Sequence, residues 1–395
     1  MLLSVCAERN IAPENVTAVV TDNAANIVKS VTDTFTKKKH LPCFAHTLNL
    51  VPSKAIESTV GLPEIITQIK SLVTWFRQCV AGADMLRKLQ LDMGKSEGQI
   101  LRLKQDIATR WNSTFYMLDQ FVKLSAQVNN VVIKFPQAPP MLTASQLQEV
   151  IEIIALLRPI ESTTTETSGS KYITCSKIIP LVHCLESHLD AANPTFEISI
   201  NLKRKLQEEV HKRFSKIEGV TILATATLLD PRFKKLHFKD PLLCPQAIKN
   251  IASMMRELNE DEGISIAAAD NLEVNISQNE KFYLWSHHKQ LVATRIHASI
   301  MDNTEVPNEL TQYFVSPISP LESDPIQEWD KLKVLYPTLH KIAMKYLPVV
   351  ATSVPSERLF SKAGNIITEK RNRLTGKRLS KLIFLNSITE SQCGL

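Results

Sequence analysis

The stretch from Val354 to Asn365, Val-Pro-Ser-Glu-Arg-Leu-Phe-Ser-Lys-Ala-Gly-Asn, constrains the fold of this chain more than any other. It opens with a Pro-Ser pair, which is a helix start signal, and residues 356–363 contain no Gly or Pro. The pattern therefore predicts a helix. Leu359, Phe360 and Ala363 form a narrow apolar stripe on it, and we expect this stripe to lie against a sheet.

A second, amphipathic helix with a basic shoulder is predicted further along, where Leu379, Leu382, Ile383 and Leu385 supply the apolar positions. Residues 341–381 contain ten Lys and Arg against two Glu, a local charge of +8, whereas the whole chain carries only +6. The basicity is thus concentrated at this end, as expected for a polyanion partner such as DNA. The candidate DNA contacts here are Lys370, Arg371, Arg373, Lys377 and Arg378.

The sequence of this region resembles the C-terminal dimerisation region of hAT-superfamily transposases and of their domesticated relatives with BED-type zinc fingers. The strings are Pro355-Ser-Glu-Arg-Leu-Phe-Ser-Lys-Ala-Gly364, Lys370-Arg-Asn-Arg-Leu374 and Leu382-Ile-Phe-Leu-Asn386. About ten matching positions in a fixed order make a specific signal. The resemblance implies a homodimer or higher oligomer through Leu359, Phe360, Leu374, Leu379, Leu382, Ile383 and Leu385.

Composition indicates an ordinary soluble globular protein. The chain has 395 residues, 44% of them hydrophobic and 22% charged, enough for two or three domains. No apolar run reaches the roughly 18 to 20 residues that span a bilayer, so no membrane association is expected. The seven Cys include no CxxC pair, which favours a reducing compartment, the cytosol or the nucleus. The resemblance favours the nucleus.

A strand followed by a helix is predicted near the N-terminus. Residues 16–21 are β-branched or apolar, and Asp22 follows them at the carboxyl end, where α/β folds place their chemistry. Residues 24–31 form the expected helix, with Asn23 as its N-cap. Asp22 has a simpler interpretation as a turn residue, and both interpretations stay open.

Cys43 and His46 are three residues apart and would share a face at the start of a helix. Cys and His together suit zinc, but no second pair with finger spacing follows. We therefore predict no metal site, and instead a buried Cys/His pair that braces the helix against the sheet. The string resembles the hAT CxxH downstream of the second catalytic Asp. That resemblance places Asp22 and Glu357 at the second and third acidic positions.

Arg110-Trp111 resembles the Arg-Trp pair of the hAT insertion domain, where the Trp is associated with a DNA base. Stacking of that kind is worth roughly 1 to 3 kcal/mol per base. The alternative is a core Trp with an Arg packed across it, and both remain open. Further on, Asp230-Pro231 lies in another family-like string and predicts a turn that ends a helix.

Asp22 and Glu357 could share one core only if the helices between them form an insertion. The clearest of these helices has an apolar face that runs from Ile65 to Val80. The resemblance implies an α/β plus all-α chain, in which a ribonuclease-H-like core is interrupted by a large helical insertion domain. We expect a partial core in residues 1–60, the insertion in 61–340, and a C-terminal core segment with the dimerisation region in 341–395.

The chain departs from the family at the metal site. Such sites use three carboxylates to hold two metal ions, yet no Asp precedes Asp22, and no upstream BED finger is present. The sequence is therefore expected to be a fragment or a truncated product, with the N-terminal part of the core missing. Two carboxylates hold Mg²⁺ poorly, so no cofactor is expected unless the triad is complete.

Three functions follow, in order of preference. The first is a domesticated or decayed transposase that dimerises, associates with DNA and acts in transcriptional regulation without enzymatic activity. The second is an active hAT transposase that uses Asp22, Glu357 and Arg110-Trp111 and is represented here by a truncated chain. The third is a helical interaction scaffold, which the local charge of +8 disfavours.

Overall fold

The computed structural model describes residues 2–107, 111–169, 174–260, 283–295, 307–367 and 374–385. These residues form mostly helices, together with two short strands. In chain order the elements are α1 (Leu2–Glu8), β1 (Val19–Thr21), α2 (Ala25–Phe35), β2 (His40–Pro42), α3 (Phe44–Ser58), α4 (Leu62–Gln78), α5 (Val80–Asp92), α6 (Trp111–Val132), α7 (Ala144–Gly169), α8 (Ile178–Ala191), α9 (Glu197–Phe214), α10 (Thr221–Leu229), α11 (Leu243–Glu260), α12 (Ser286–Arg295), α13 (Asn308–Val315), α14 (Pro325–Leu332), α15 (Pro337–Tyr346), α16 (Val354–Ile366) and α17 (Gly376–Leu385).

The chain divides into two compact units. The α/β unit comprises, of the described residues, 2–46, 167–169, 350–367 and 374–385, and the helical unit comprises 47–107, 111–166, 174–260, 283–295 and 307–349. Within these ranges no helix combines the length and apolarity needed to cross a bilayer. A ribonuclease-H-like core stays a prediction, because the described sheet has two strands only.

The sheet of the α/β unit is parallel, and α2 makes the crossover that parallel strands require. Val20 pairs with Leu41, and the ladder continues past the strands where the Cys43 N–H donates to the Thr21 carbonyl at 2.7 Å. The predicted strand is thus present but shorter, from Val19 to Thr21. A small core of Cys6, Val31 and Phe35 packs here, with Leu2, Val16 and Val19 around it.

The start of α2 differs from the prediction. Its N-cap is Ala24, with no side-chain cap, so the expected Asn23 cap is wrong. Asn23 has a φ of +67°, in the left-handed region that Asn tolerates. One residue earlier, the Asp22 carboxylate accepts the Ala24 N–H at 3.3 Å, which is the Asx turn typical of this residue type.

The predicted helix at residues 356–363 is confirmed as part of α16. Its apolar stripe does not lie against the sheet, however, because Leu359 is 46% exposed and Phe360 73% exposed. The physical reason is that α2 already fills the space beside the short strands: Val31 and Phe35 pack with Val19 in the small core. The apolar face of α16 therefore points to solvent.

In the helical unit, α4 buries the face that periodicity predicts, including Ile65, Ile69 and Phe76. Val80 was expected on the same face but is 72% exposed. The helix ends at Gln78, and Cys79 adopts an extended conformation, so the helical register does not continue to Val80. A second core lies where α10, α11, α13, α14 and α15 pack; its largest side chains are Tyr313, Phe314, Trp329 and Tyr336.

The predicted turn after α10 is confirmed, and it contains a buried ion pair. Asp230 follows the last residue of α10, and the Arg232 Nε and Nη2 atoms donate to its two carboxylate oxygens at 2.8 and 2.6 Å. Two residues later, Lys234 is 1% exposed, and its ammonium donates to the carbonyls of Tyr313, Ser316 and Pro317 at 2.6–3.0 Å. These two cations attach the segment after α13 to the turn.

Candidate functional site

Helices α16 and α17 pack against each other and leave an apolar surface in solvent. We call it the α16–α17 surface. Its members have between 37% and 73% of their area exposed, in a chain whose other large apolar residues are mostly buried. They are Leu359, Phe360, Ile367, Leu382, Phe384 and Leu385. Apolar residues that cluster in this way mark an interaction site.

The sequence prediction located most of this surface. Leu359, Phe360, Leu382 and Leu385 are exposed members. The other predicted contacts, Leu374, Leu379 and Ile383, are half-buried. Ile367 and Phe384 were missed, although they are 45% and 64% exposed; for Phe384, its position inside the Leu-Ile-Phe-Leu string was the available signal.

Basic residues border the apolar part of α17. Lys377, Arg378 and Lys381 are exposed, and Lys381 lines a shallow pocket with Phe384 and Leu385. The other three predicted phosphate contacts, Lys370, Arg371 and Arg373, lie outside the described residues. The described part of this end thus presents cations beside exposed apolar groups.

The two predicted catalytic carboxylates are both exposed. Asp22 forms its Asx turn after β1, while Glu357 lies in the first turn of α16 and its Oε1 accepts the Ser353 hydroxyl at 2.6 Å. Across the described ranges, no group of three or more His, Cys, Asp or Glu side chains is arranged to hold a metal ion.

Cys43 and His46 do not form the buried pair that we expected. Cys43 is fully buried, but His46 is exposed. The shared-face argument fails because α3 begins at Phe44, so Cys43 lies before the helix. Its sulfur accepts the Ser353 N–H at 3.2 Å, and the Phe44 N–H donates to the Ala351 carbonyl at 3.0 Å. These two bonds connect the end of β2 to the start of α16.

Trp111 opens α6 and is only 5% exposed. Its ring meets Phe115 edge-on at 6.5 Å, and the guanidinium of Arg158 lies over the Phe115 ring. In this structure Trp111 therefore occupies a core position, and stacking on a base would require the ring to leave it. Arg110 lies outside the described residues.

Comparison with known protein families matches two parts of the chain. Residues 309–388 match the hAT family C-terminal dimerisation region, and residues 41–155 match the ZBED1 RNase-like helical domain. The resemblance found in the motifs is thereby confirmed: the chain contains a hAT dimerisation region and a ZBED1-like helical domain, which is consistent with a hAT-derived protein of the BED type.

Curated relatives agree with this assignment. The chain is 26% identical over 376 residues to human zinc finger BED domain-containing protein 4, covering 93% of this chain and 30% of the relative. It is 23% identical to the putative AC transposase of Zea mays, over 87% of the chain and 43% of that protein. The putative transcriptional regulator tpeD of Talaromyces stipitatus is 23% identical, over 94% of this chain and 46% of that protein. The chain thus spans less than half the length of these relatives.

The matched dimerisation region is divided between the two units. Its first part, residues 309–349, lies in the helical unit, where α13, α14 and α15 bury Leu310, Trp329 and Leu339 in the core. The second part contains α16 and α17 and carries the six residues of the α16–α17 surface, whereas the exposed large apolar residues described in the first part are Val315 and Val334. Of the described part of the matched region, therefore, the α16–α17 surface is available for association with another chain.

Proposed function

We propose that this chain belongs to a domesticated hAT transposase that dimerises through the α16–α17 surface, associates with DNA in the nucleus, and acts in transcription without transposing DNA. The observation that carries the proposal is the exposed apolar surface inside the matched dimerisation region. Burial of apolar area contributes roughly 25 cal/mol per Å², so covering these side chains favours association.

The size of the surface bears on the mode of dimerisation. A stable interface buries about 800 Å² per partner, more than the ten-residue helix α17 can supply alone. Leu359 and Phe360 on α16 and the half-buried Leu379 and Ile383 extend it. We therefore propose that both helices contribute, with the aromatic rings of Phe360 and Phe384 as its anchors.

Two features support DNA association and a role in transcription. The exposed Lys377, Arg378 and Lys381 suit contacts to phosphates. One relative is named as a putative transcriptional regulator, and others carry BED zinc finger names. A ribonuclease-H-like core is part of the proposal, supported by the parallel pair β1–β2 and by the Cys43–Ser353 bond that connects the sheet to α16.

The test of dimerisation is sedimentation of charge variants. Leu382→Glu with Leu385→Glu places two carboxylates in the contact, where unpaired buried charge costs several kcal/mol. Analytical ultracentrifugation should show a dimeric parent and a monomeric variant, with far-UV circular dichroism like that of the parent. The matched control is Leu242→Glu, at a leucine of the helical unit that is 78% exposed, and it should remain dimeric. A monomeric parent at high concentration would refute the proposal.

The alternative function is an active transposase, which the similarity to the maize putative AC transposase favours. It would use Asp22 and Glu357 as ligands for divalent metal. We expect no nicking of terminal-inverted-repeat DNA by the 395-residue chain with Mg²⁺ or Mn²⁺. Metal-dependent nicking that disappears in Asp22→Ala would establish the alternative instead.

A further inference from the structure

Five of the ten histidines gather in one region of the helical unit. They lie on three elements, namely α8, the turn segment 230–240 after α10, and α12. Hydrogen bonds, ring contacts or charge interactions connect them, and the proposed function uses none of them. They are His183, His188, His237, His287 and His288.

The centre of the cluster is a hydrogen-bonded imidazole pair. His237 Nε2 lies 2.9 Å from His288 Nδ1, and the two rings are stacked at 5.2 Å with 7° between their planes. Both residues are almost fully buried, at 1% and 4% exposure. One nitrogen must donate and the other accept, so the bond needs a neutral ring on at least one side. The other nitrogen of His237, Nδ1, is buried with no hydrogen-bond partner in the described part of the chain.

The pair is one of several contacts that hold α12 and the residues just before it. Trp285 stacks on Phe233 at 5.7 Å, and His288 meets the edge of the same ring at 5.5 Å. The Ser286 hydroxyl lies 3.2 Å from His188 Nε2 on α8. The outer side of α12, with Lys289 and Gln290, is exposed. The docking of α12 therefore involves aromatic and imidazole contacts together with the buried Leu284.

We propose that the docking of α12 is controlled by protonation of the His237–His288 pair, so that acid releases the segment 283–295. A proton on each ring removes the acceptor of the hydrogen bond and places two positive charges side by side in a dry environment. Undocking moves both rings into water, where each charge is hydrated. Protonation and release are therefore linked.

The groups around the pair do not neutralise this charge. Asp230 is already paired with Arg232, and Lys239 adds a further cation. Glu322 is the remaining carboxylate with an effect on His288. The charged and titratable groups that face the pair are His183, Cys184, His287, Lys239, Asp230, Arg232 and Glu322.

The direction of the pH effect follows from the same environment. Burial lowers the pKa of His288 from the ordinary value of 6.5 to about 4, and burial with the nearby His288 holds the pKa of His237 well below 6.5. A lowered pKa means that the docked state disfavours protons. Docking is therefore complete above pH 6.5 and weakens as the pH falls toward 4.

Hydrogen exchange of the 395-residue chain tests the proposal. We expect the protection of residues 283–295, corrected for intrinsic exchange, to fall about tenfold between pH 6 and pH 5 for each proton taken up. Residues of α4 report global unfolding of the helical unit, and at both pH values they should keep higher protection than α12. Equal protection of α12 and α4 at pH 5 would mean that α12 exchanges through general acid unfolding and would overturn the proposal.

A variant that cannot titrate sharpens the test. In His237→Gln/His288→Asn the Gln amide nitrogen replaces Nε2 and the Asn amide oxygen replaces Nδ1, which keeps a hydrogen bond without a titrating group. Its α12 protection should be the same at pH 6 and pH 5, and His211→Gln, at an exposed histidine, should behave like the parent. If the double variant does not fold by circular dichroism, His288→Asn alone should still reduce the pH dependence. If α12 in either folded variant loses as much protection between pH 6 and pH 5 as it does in the parent, the proposal is refuted.

Discussion

The backbone N–H of Ser353 donates a hydrogen bond to the sulfur of Cys43 at 3.2 Å, although 310 residues separate them in the chain. Cys43 directly follows β2, and Ser353 directly precedes α16. The bond therefore fixes the start of the helix that carries Glu357, Leu359 and Phe360 against the end of the sheet. The thiol acts here as a buried acceptor.

Replacement of Cys43 tests this role. Cys43→Ala removes the acceptor, and an unsatisfied buried N–H costs about 1 to 3 kcal/mol. We expect faster amide exchange in the first turn of α16 and a lower free energy of unfolding. Cys43→Ser keeps an acceptor and should lose less. Equal exchange at residues 353–357 in Cys43→Ala and the parent would show that the bond contributes nothing.

Lys234 predicts a large effect of removing a charge from the interior. Its ammonium donates to three carbonyls and lies 4.6 Å from the centre of the Tyr313 ring, and its φ of +47° is left-handed. Lys234→Met removes this donor from the Ser316 and Pro317 carbonyls, while the Tyr313 carbonyl keeps the Ser316 hydroxyl, and it should destabilise the helical unit by about 1.5 to 3 kcal/mol. Urea unfolding measures the change. Lys235→Met is the matched control, at an exposed neighbouring lysine whose ammonium lies 4.3 Å from the centre of the Phe314 ring, and it should cost less than Lys234→Met. Similar losses in both variants would contradict the interpretation.

The buried His183 predicts acid sensitivity of the helical unit as a whole. Burial lowers its pKa to about 3, with Lys239 and His287 acting in the same direction. The Glu218 carboxylate 3.3 Å away already accepts two backbone N–H groups, and desolvation outweighs its attraction. Because the pKa of His183 is lowered in the folded state, its contribution to the free energy of unfolding is complete above pH 6.5 and is lost as the pH falls toward 3.

The measurement is chemical unfolding at pH 7, 6 and 5. His183 should contribute a loss of up to about 1.4 kcal/mol per pH unit below 6.5. In His183→Gln the free energy of unfolding should depend less on pH than in the parent. His211→Gln, at an exposed histidine, should keep the pH dependence of the parent. An unchanged slope in His183→Gln would mean that this histidine does not set the acid limit.

The basic C-terminal end predicts salt-sensitive binding to DNA. Each phosphate contact contributes about 0.9 to the slope of log affinity against log salt. Neutralising Lys370, Arg371 and Arg373 to Gln should therefore lower the slope by about 2 to 3. Three exposed lysines of the helical unit, Lys88, Lys249 and Lys333, provide the control, and their replacement should have less effect. An equal slope in parent and variant would identify residues 370–373 as ordinary solvated charges.

Sequence alone determined the features that depend on neighbours along the chain. The buried face of α4, the helical runs in α16 and α17, the strand at Val19–Thr21 and the turn at Asp230 follow from periodicity and from turn residues. The motifs also revealed the resemblance to hAT transposases and located most of the α16–α17 surface, because a family motif retains the residues that a fold and its interfaces require.

Only the tertiary structure determined which apolar face of a helix is buried and which residues distant in the chain are in contact. The apolar stripe of α16 is exposed because α2 supplies the packing beside the strands, and periodicity does not reveal what lies opposite a helix. Cys43 meets Ser353, and His237 meets His288, through contacts between residues far apart in the chain. Long-range contacts of this kind depend on how the helices pack, which the local pattern of residues does not contain.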